Sequence, residues 1–181
     1  YQANLSLHLK VEGALDPVST AQWLLGGGRA AQMAMISFDK RIIASGSPEL
    51  FLREEETRLV SAPIKGTRPR FGSYDENIRA IEELKNSIKD RAELAMIVDL
   101  VRNDLNRVCE PGTVVVENHG MIEAHPSVYH TVSTVSGRRR SDTPTAEVWD
   151  SLFPAGSITG APKIAAMGAI ARLESHWRDC Y

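Results

Sequence analysis

The chain of 181 residues holds only two cysteines, Cys109 and Cys180, too few for a disulfide framework. A reducing compartment, and so a cytoplasmic location, is expected. Neither sign of charge is in excess: 21 lysines and arginines face 23 aspartates and glutamates, a net charge of −2. Without surplus cations there is little for a polyanion to exploit, which argues against a nucleic-acid partner. No apolar run approaches the ~20 residues that cross a bilayer, so no membrane span is expected. The common nucleotide and hydrolase patterns are missing too. Gly26-Gly27-Gly28 lacks both the Lys-Ser/Thr of a phosphate loop and the spaced glycines of a dinucleotide fold. His119 and His125 lie near Cys109 but find no second cysteine at zinc spacing, and no Gly-x-Ser-x-Gly elbow occurs. At 43% hydrophobic and 24% charged residues, disorder is excluded.

What is present is an irregular mixture of strand and helix patterns. Residues 4–11 alternate apolar and polar, as a half-buried strand does. Residues 17–25 carry a broad apolar face and predict a short helix stopped by Gly26-Gly27-Gly28. Short strands are predicted at 34–38, 41–45 and 50–54, with turns at Asp39-Lys40 and Gly46-Ser47-Pro48, and three in succession favour an antiparallel meander. Ser73 with Glu76 forms a capping box. Ile78, Ile81, Leu84, Ile88, Ala92, Ala95, Met96 and Leu100 then predict one long helix reaching Leu105. Strands follow at 113–117 and 128–135. A helix is predicted from Thr143-Pro144 through Leu152, and Pro162 opens a last one with Ile164, Met167, Ile170, Ala171 and Leu173 inward. With no βαβα alternation, repeat or linker, the class is α+β, in one domain over 1–181.

Four local features can carry chemistry, each with a structural reading beside it. Residues 63–70, Pro-Ile-Lys-Gly-Thr-Arg-Pro-Arg, read as a sharp basic turn, either solvated or offering donors to an anion. Residues 157–163 lead into the last helix, whose free first-turn N–H groups suit a carboxylate or phosphate, or simply begin a capped helix. Glu49, Glu93 and Asp99 are acids beside apolar stretches, needing a metal, a donor or a salt bridge to offset desolvation, whereas Asp90 and Arg91 read as surface. His130, inside an alternating strand, is a structural histidine or an acid–base group.

Together these features resemble one family. Ser47-Pro48-Glu49, Pro63-Ile64-Lys65-Gly66-Thr67-x-Pro69-Arg70, Asp90-Arg91-Ala92-Glu93 with Asp99-Leu100-x-Arg102-Asn103-Asp104-Leu105, His130-x-Val132-Ser133 and Gly156-Ser157-x-Thr159-Gly160-Ala161-Pro162-Lys163 stand in the order found in chorismate-utilising enzymes. That family includes anthranilate synthase component I, aminodeoxychorismate synthase component I, and the isochorismate and salicylate synthases. Tyr1-Gln2-x-Asn4-Leu5 also resembles the start of the family's catalytic core. The resemblance implies antiparallel β-sheets packed face to face with outer helices. The remaining metal-binding glutamates and the carboxylate clamp belong to a C-terminal portion of the family expected beyond Tyr181.

The resemblance also implies a chemistry. Anthranilate synthases carry alanine where Lys65 stands, whereas lysine there with Glu49 upstream is similar to the aminodeoxychorismate synthases. Carried over, Lys65 is the nucleophile that attacks C2 of chorismate as the C4 hydroxyl departs, Glu49 is the acid that protonates that hydroxyl, and ammonia enters at C4. Such an acid must stay protonated near neutral pH and such a lysine must react as the free amine, for which Arg68, Arg70 or a metal would be the helpful cations. Glu93 is implied as a Mg²⁺ ligand. Gly66, Thr67, Thr159, Gly160 and Ala161 are implied to contact substrate, and His130 to lie near the ring carboxylate and departing groups. A glutamine amidotransferase subunit or domain is implied as the ammonia source. Other readings stay open: anthranilate or isochorismate/salicylate synthesis, or a chorismate-binding fragment without activity of its own. Residues 29–32 read Arg-Ala-Ala-Gln where tryptophan-binding members have an Asn-Pro-Tyr/Phe-type segment, so no tryptophan site is expected.

Overall fold

The computed structural model describes residues 1–10, 12–13, 16–26, 31–39 and 41–178. In chain order the elements are β1 (Gln2–Ala3), α1 (Pro17–Gly26), β2 (Gln32–Phe38), β3 (Arg41–Ser47), β4 (Leu50–Glu55), β5 (Arg58–Ala62), β6 (Ile64–Pro69), α2 (Tyr74–Asn86), α3 (Ile88–Asn106), β7 (Val115–Ala124), β8 (Val128–Arg138), α4 (Thr145–Leu152), α5 (Gly156–Thr159), β9 (Gly160–Ala161) and α6 (Lys163–Leu173). All the strand pairings among them are antiparallel. The class is α+β, as expected.

The main sheet is built around β8. β7 runs along one edge of it, while β5 and β6 share the other: Arg58–Ser61 pair with 135–138 and Ile64–Pro69 with 128–132. β5 and β6 are thus one long strand interrupted at Pro63, whose carbonyl still accepts from Ser133 N at 3.1 Å. Proline has no N–H to give the ladder, so the interruption falls there. Residues 63–70, read from sequence as a turn, are therefore mostly strand. Their prolines and glycine suggested punctuation, but they mark an interruption and a bulge inside a strand.

The predicted long helix is two. Ser87 ends α2, and its side chain accepts from Asp90 N to open α3. The serine followed three residues later by an acid was a second N-terminal signal in the sequence. The buried face of α3 is Leu94, Ile97, Val98, Asp104 and Leu105, turned away from the predicted stripe. Ile88 is 82% exposed, and Ala92 and Ala95 are exposed as well. Leu94, Val98 and Leu105 pack with Leu59, Val108, Cys109, Val135, Val148 and Leu152 into the principal core. Cys109 belongs to that core, and burial pushes its thiol up to about 11, so it packs rather than reacts. Leu94→Ala should destabilise the fold by about 2–5 kcal/mol, measured as a lower denaturant midpoint with an unchanged slope.

α6 buries Ala166 and Ile170, whereas Ile164 and Leu173 are exposed, so only Ile170 of its predicted inner residues is fully inside. Residues 4–10 alternate as the sequence suggested but form no strand. Leu5, Leu7 and Leu9 face solvent, and only Gln2–Ala3 pair, with Gly160–Ala161 of β9. Val11, Gly27-Gly28, Arg29-Ala30, Lys40 and Cys180-Tyr181, where other expectations fell, lie outside the described residues. Among the described residues no helix is long and apolar enough to cross a membrane.

Candidate functional site

Glu49 occupies the turn between β3 and β4. Ser47 closes that turn: its Oγ accepts from Glu49 N and donates to Glu49 O, each at 3.2 Å. The turn aims the carboxyl at the beginning of β6. Glu49 Oε2 accepts from Ile64 N at 3.0 Å, and Oε1 accepts from Ser157 Oγ. Burial pushes this carboxyl above the ordinary glutamate range, against the two donors and the charge of Lys65, which act to lower it. Glu49 and Lys65 therefore share one electrostatic environment at the start of β6. They were 16 positions apart in sequence, and the β4–β5 hairpin folds that distance away.

Lys65 is half-buried and sits in a bulge: the β6–β8 register shifts between Ile64 and Thr67. Gly66 makes the bulge, with φ +88°, where a side chain is strained. A Cβ there would stand 3.0 Å from Asp90 Cβ, so α3 closes down on the strand at this point. Beyond the bulge Thr67 pairs opposite His130, and Thr67 Oγ1 lies 2.9 Å from His130 Nδ1. Burial, with the charge of His125 beside it, holds the His130 imidazole below its ordinary value, Glu123 acting the other way. A neutral ring offers one donor and one acceptor.

Arg68 does not serve Lys65. Its guanidinium donates to Glu83 Oε2 at 3.1 Å and Asp90 Oδ2 at 3.2 Å, and Arg70 donates to the His125 carbonyl. Asp90, read from sequence as surface, is 14% exposed in its side chain and locks α3 to β6 through Arg68. Arg91 is exposed, as read. Glu93, one turn along α3 from Asp90, is partly buried and has Lys89 Nζ at 3.6 Å. Asp99 is exposed beside Arg102, which makes it an ordinary surface pair. Among the described residues no three His, Cys, Asp or Glu side chains gather as a metal site. Mg²⁺ keeps several waters and takes one or two protein carboxylates, so a single acid such as the one implied at Glu93 is chemically compatible with it.

Residues 156–163 arrive from the far end of the chain. Thr159 Oγ1 donates to Ala155 O at 3.0 Å. Gly160 and Ala161 pair with Ala3 and Gln2, and Asn4 N donates to Thr159 O at 2.9 Å. The chain's first residues thus cover one side of this segment, and all three of Thr159, Gly160 and Ala161 are buried. Pro162 is the cap residue, with α6 beginning at Lys163. The structure therefore gathers Glu49, Lys65, Gly66, Thr67 and His130 along β6 and its neighbours, with Glu93 on the helix above the bulge. Ser157 was missed as a contact of Glu49. Its signal was only its place beside Thr159 in a glycine-flanked segment, and nothing local says which acid it meets.

A sequence profile described as chorismate binding enzyme matches residues 1–181. Aminodeoxychorismate synthase component 1 of Klebsiella aerogenes is 40% identical over 181 residues, all of this chain and 40% of that protein. Anthranilate synthase component 1 of Saccharolobus solfataricus is 42% identical over 149 residues, 82% of this chain and 35% of that protein. Among solved structures, anthranilate synthase component I of Streptococcus pneumoniae TIGR4 superposes with a TM-score of 0.80 at 28% identity, over 91% of this chain and 36% of that one. The chain spans about two fifths of the length of the curated relatives it matches.

Proposed function

The chain belongs to the chorismate-binding enzymes, and from that membership we propose that the protein aminates chorismate at C4, giving 4-amino-4-deoxychorismate, with ammonia supplied by a glutamine amidotransferase. The observation that carries this reading is that Glu49, an acid whose pKa burial raises, lies within electrostatic reach of the Lys65 amine at the start of β6. The relatives named as aminodeoxychorismate synthases, at 37–40% identity over the full chain, support it. The 42% match to an anthranilate synthase means that overall identity does not choose between the two products. Lys65 favours amination at C4, because the resemblance implies alanine at that place in the anthranilate synthases.

In the proposed reaction Lys65 Nζ, as the free amine, forms a bond to C2 of chorismate while the ring electrons shift and the C4–O bond breaks. Glu49 gives its proton to the departing oxygen, which leaves as water. Ammonia then bonds to C4 and the lysine leaves C2 as a neutral amine. The proton lost from the new C4 ammonium returns to Glu49, so the acid is restored and the balance is chorismate plus ammonia to product plus water. Thr67 and His130, joined side chain to side chain, and the backbone at Gly66 orient the ring. Glu93 would hold Mg²⁺, which when bound supplies positive charge against the ring carboxylate.

The test is to incubate the intact protein with chorismate, Mg²⁺ and ammonium chloride and identify the product by mass spectrometry and fluorescence. 4-Amino-4-deoxychorismate is expected. Fluorescent o-aminobenzoate, or isochorismate formed without nitrogen, would overturn the assignment.

A further inference from the structure

Glu49 has two hydrogen-bond partners of different kinds. The Ile64 amide can only donate, and it fixes Oε2. Ser157 meets Oε1 with a hydroxyl, which donates to a carboxylate and accepts from a protonated acid. With the proton on Oε1 both bonds survive: Oε2 still accepts from the Ile64 amide, and Ser157 changes from donor to acceptor at the oxygen that titrates. A hydroxyl usually needs something to hold it in register, and the segment carrying this one is anchored behind it. Lys163, the first residue of α6, donates to Asp104 Oδ2 of α3 at 2.6 Å and to the Leu152 carbonyl at 3.0 Å. The two charged side chains are 11% and 7% exposed. In front, Asn4 Nδ2 donates to the Ser157 carbonyl at 2.8 Å. Between these anchors Gly156 lets the segment approach α3, since a Cβ there would fall 2.4 Å from Leu100 Cδ2.

We propose that Ser157 is the positioning residue for the Glu49 carboxyl, set in place by the buried Lys163–Asp104 pair, and that it stabilises the carboxylate that forms when Glu49 gives up its proton. The proposal deepens the reading of Glu49 as the acid and rests on it. The charged groups around Glu49 are Lys65 from β6 and, beside the small cavity that Glu49 lines with Ser61, Asp104 and Ser157, the Asp104–Lys163 pair from α3 and α6. Lys65 and the Ser157 donor both favour the ionised form of Glu49, and burial opposes them. Loss of the hydroxyl moves the balance further toward the protonated acid.

The test uses the intact protein with Ser157→Ala and Ser157→Thr, read by kcat against pH and by carbon-13 NMR titration of the Glu49 carboxyl. In Ser157→Ala, kcat should fall about tenfold to a hundredfold with KM nearly unchanged. The alkaline limb and the Glu49 titration should both move to higher pH, by about one pH unit. Ser157→Thr keeps the hydroxyl and should restore both. A Glu49 titration unchanged in a folded Ser157→Ala protein overturns the role of Ser157, whatever the activity. Full activity of Glu49→Gln overturns the reading of Glu49 as the acid, whatever the titration, so the two failures are told apart.

Discussion

Lys65→Ala should lower chorismate amination by about a thousandfold or more with saturating ammonium, while the thermal midpoint changes little. The size of the loss follows from the lysine's assigned work. In the proposed reaction it forms the bond to C2 that lets the C4 hydroxyl leave, and alanine offers nothing that can bond there. Water taking its place would give a stable hydroxylated ring instead of an intermediate that ammonia can displace. The small structural cost follows from its surroundings. Lys65 is half-buried at a bulge, and the contacts that lock this stretch to α3 belong to Arg68 and Gly66. Steady-state kinetics beside a circular dichroism melt measure both halves. Near-normal turnover with ammonium would remove Lys65 from the chemistry.

Glu49→Gln should cost about a hundredfold to ten-thousandfold in kcat. The amide keeps the shape and can still accept from Ile64 N, but it has no proton to give a departing hydroxide. The pH dependence has a definite sign. Burial raises the Glu49 pKa above that of a free glutamate, so the acid stays protonated to higher pH and the wild-type rate falls as pH rises through that value. The glutamine variant should lack this limb. The same shift acts on stability: a carboxyl whose folded pKa exceeds its unfolded one contributes stability fully present below the unfolded pKa and lost as pH rises through the folded one. Glu49→Gln should therefore match the wild type in denaturant at low pH and gain on it as pH rises. A wild type that gained on the glutamine variant as pH rises would mean that the carboxylate, not the acid, is the favoured form.

The local patterns of the chain were legible where one short signal sufficed. The strands at 34–38, 41–45 and 50–54, the capping box at Ser73, and the helices before Leu152 and after Pro162 all stand in the structure. The failures share a cause, which is that tertiary neighbours outvoted a local pattern. Proline and glycine in 63–70 look like a turn, yet β8 supplies a partner along most of that length. The leucines at 5, 7 and 9 alternate as a strand should, but no described strand pairs with them. In the long helix an apolar stripe was chosen by spacing alone, and the break at Ser87 rotated the buried face to Leu94, Ile97 and Val98. The site shows the same division. Glu49, Lys65, Thr67 and His130 were named from motifs, but their meeting depends on a hairpin, a bulge and a strand register. Ser157 and the Lys163–Asp104 pair behind it come from segments about 60 to 110 positions away, a separation that no local pattern encodes.

The central claim is that Lys65 becomes bonded to substrate beside a protonated Glu49. The most direct measurement is mass spectrometry of the intact protein, denatured in acid after incubation with chorismate and Mg²⁺ in the absence of ammonia, followed by peptide mapping. The predicted result is an adduct of chorismate less one water on the peptide containing Lys65, absent from Lys65→Ala and discharged by added ammonium. An unmodified Lys65 in protein that is aminating chorismate at full rate, or an adduct on another residue, would contradict it.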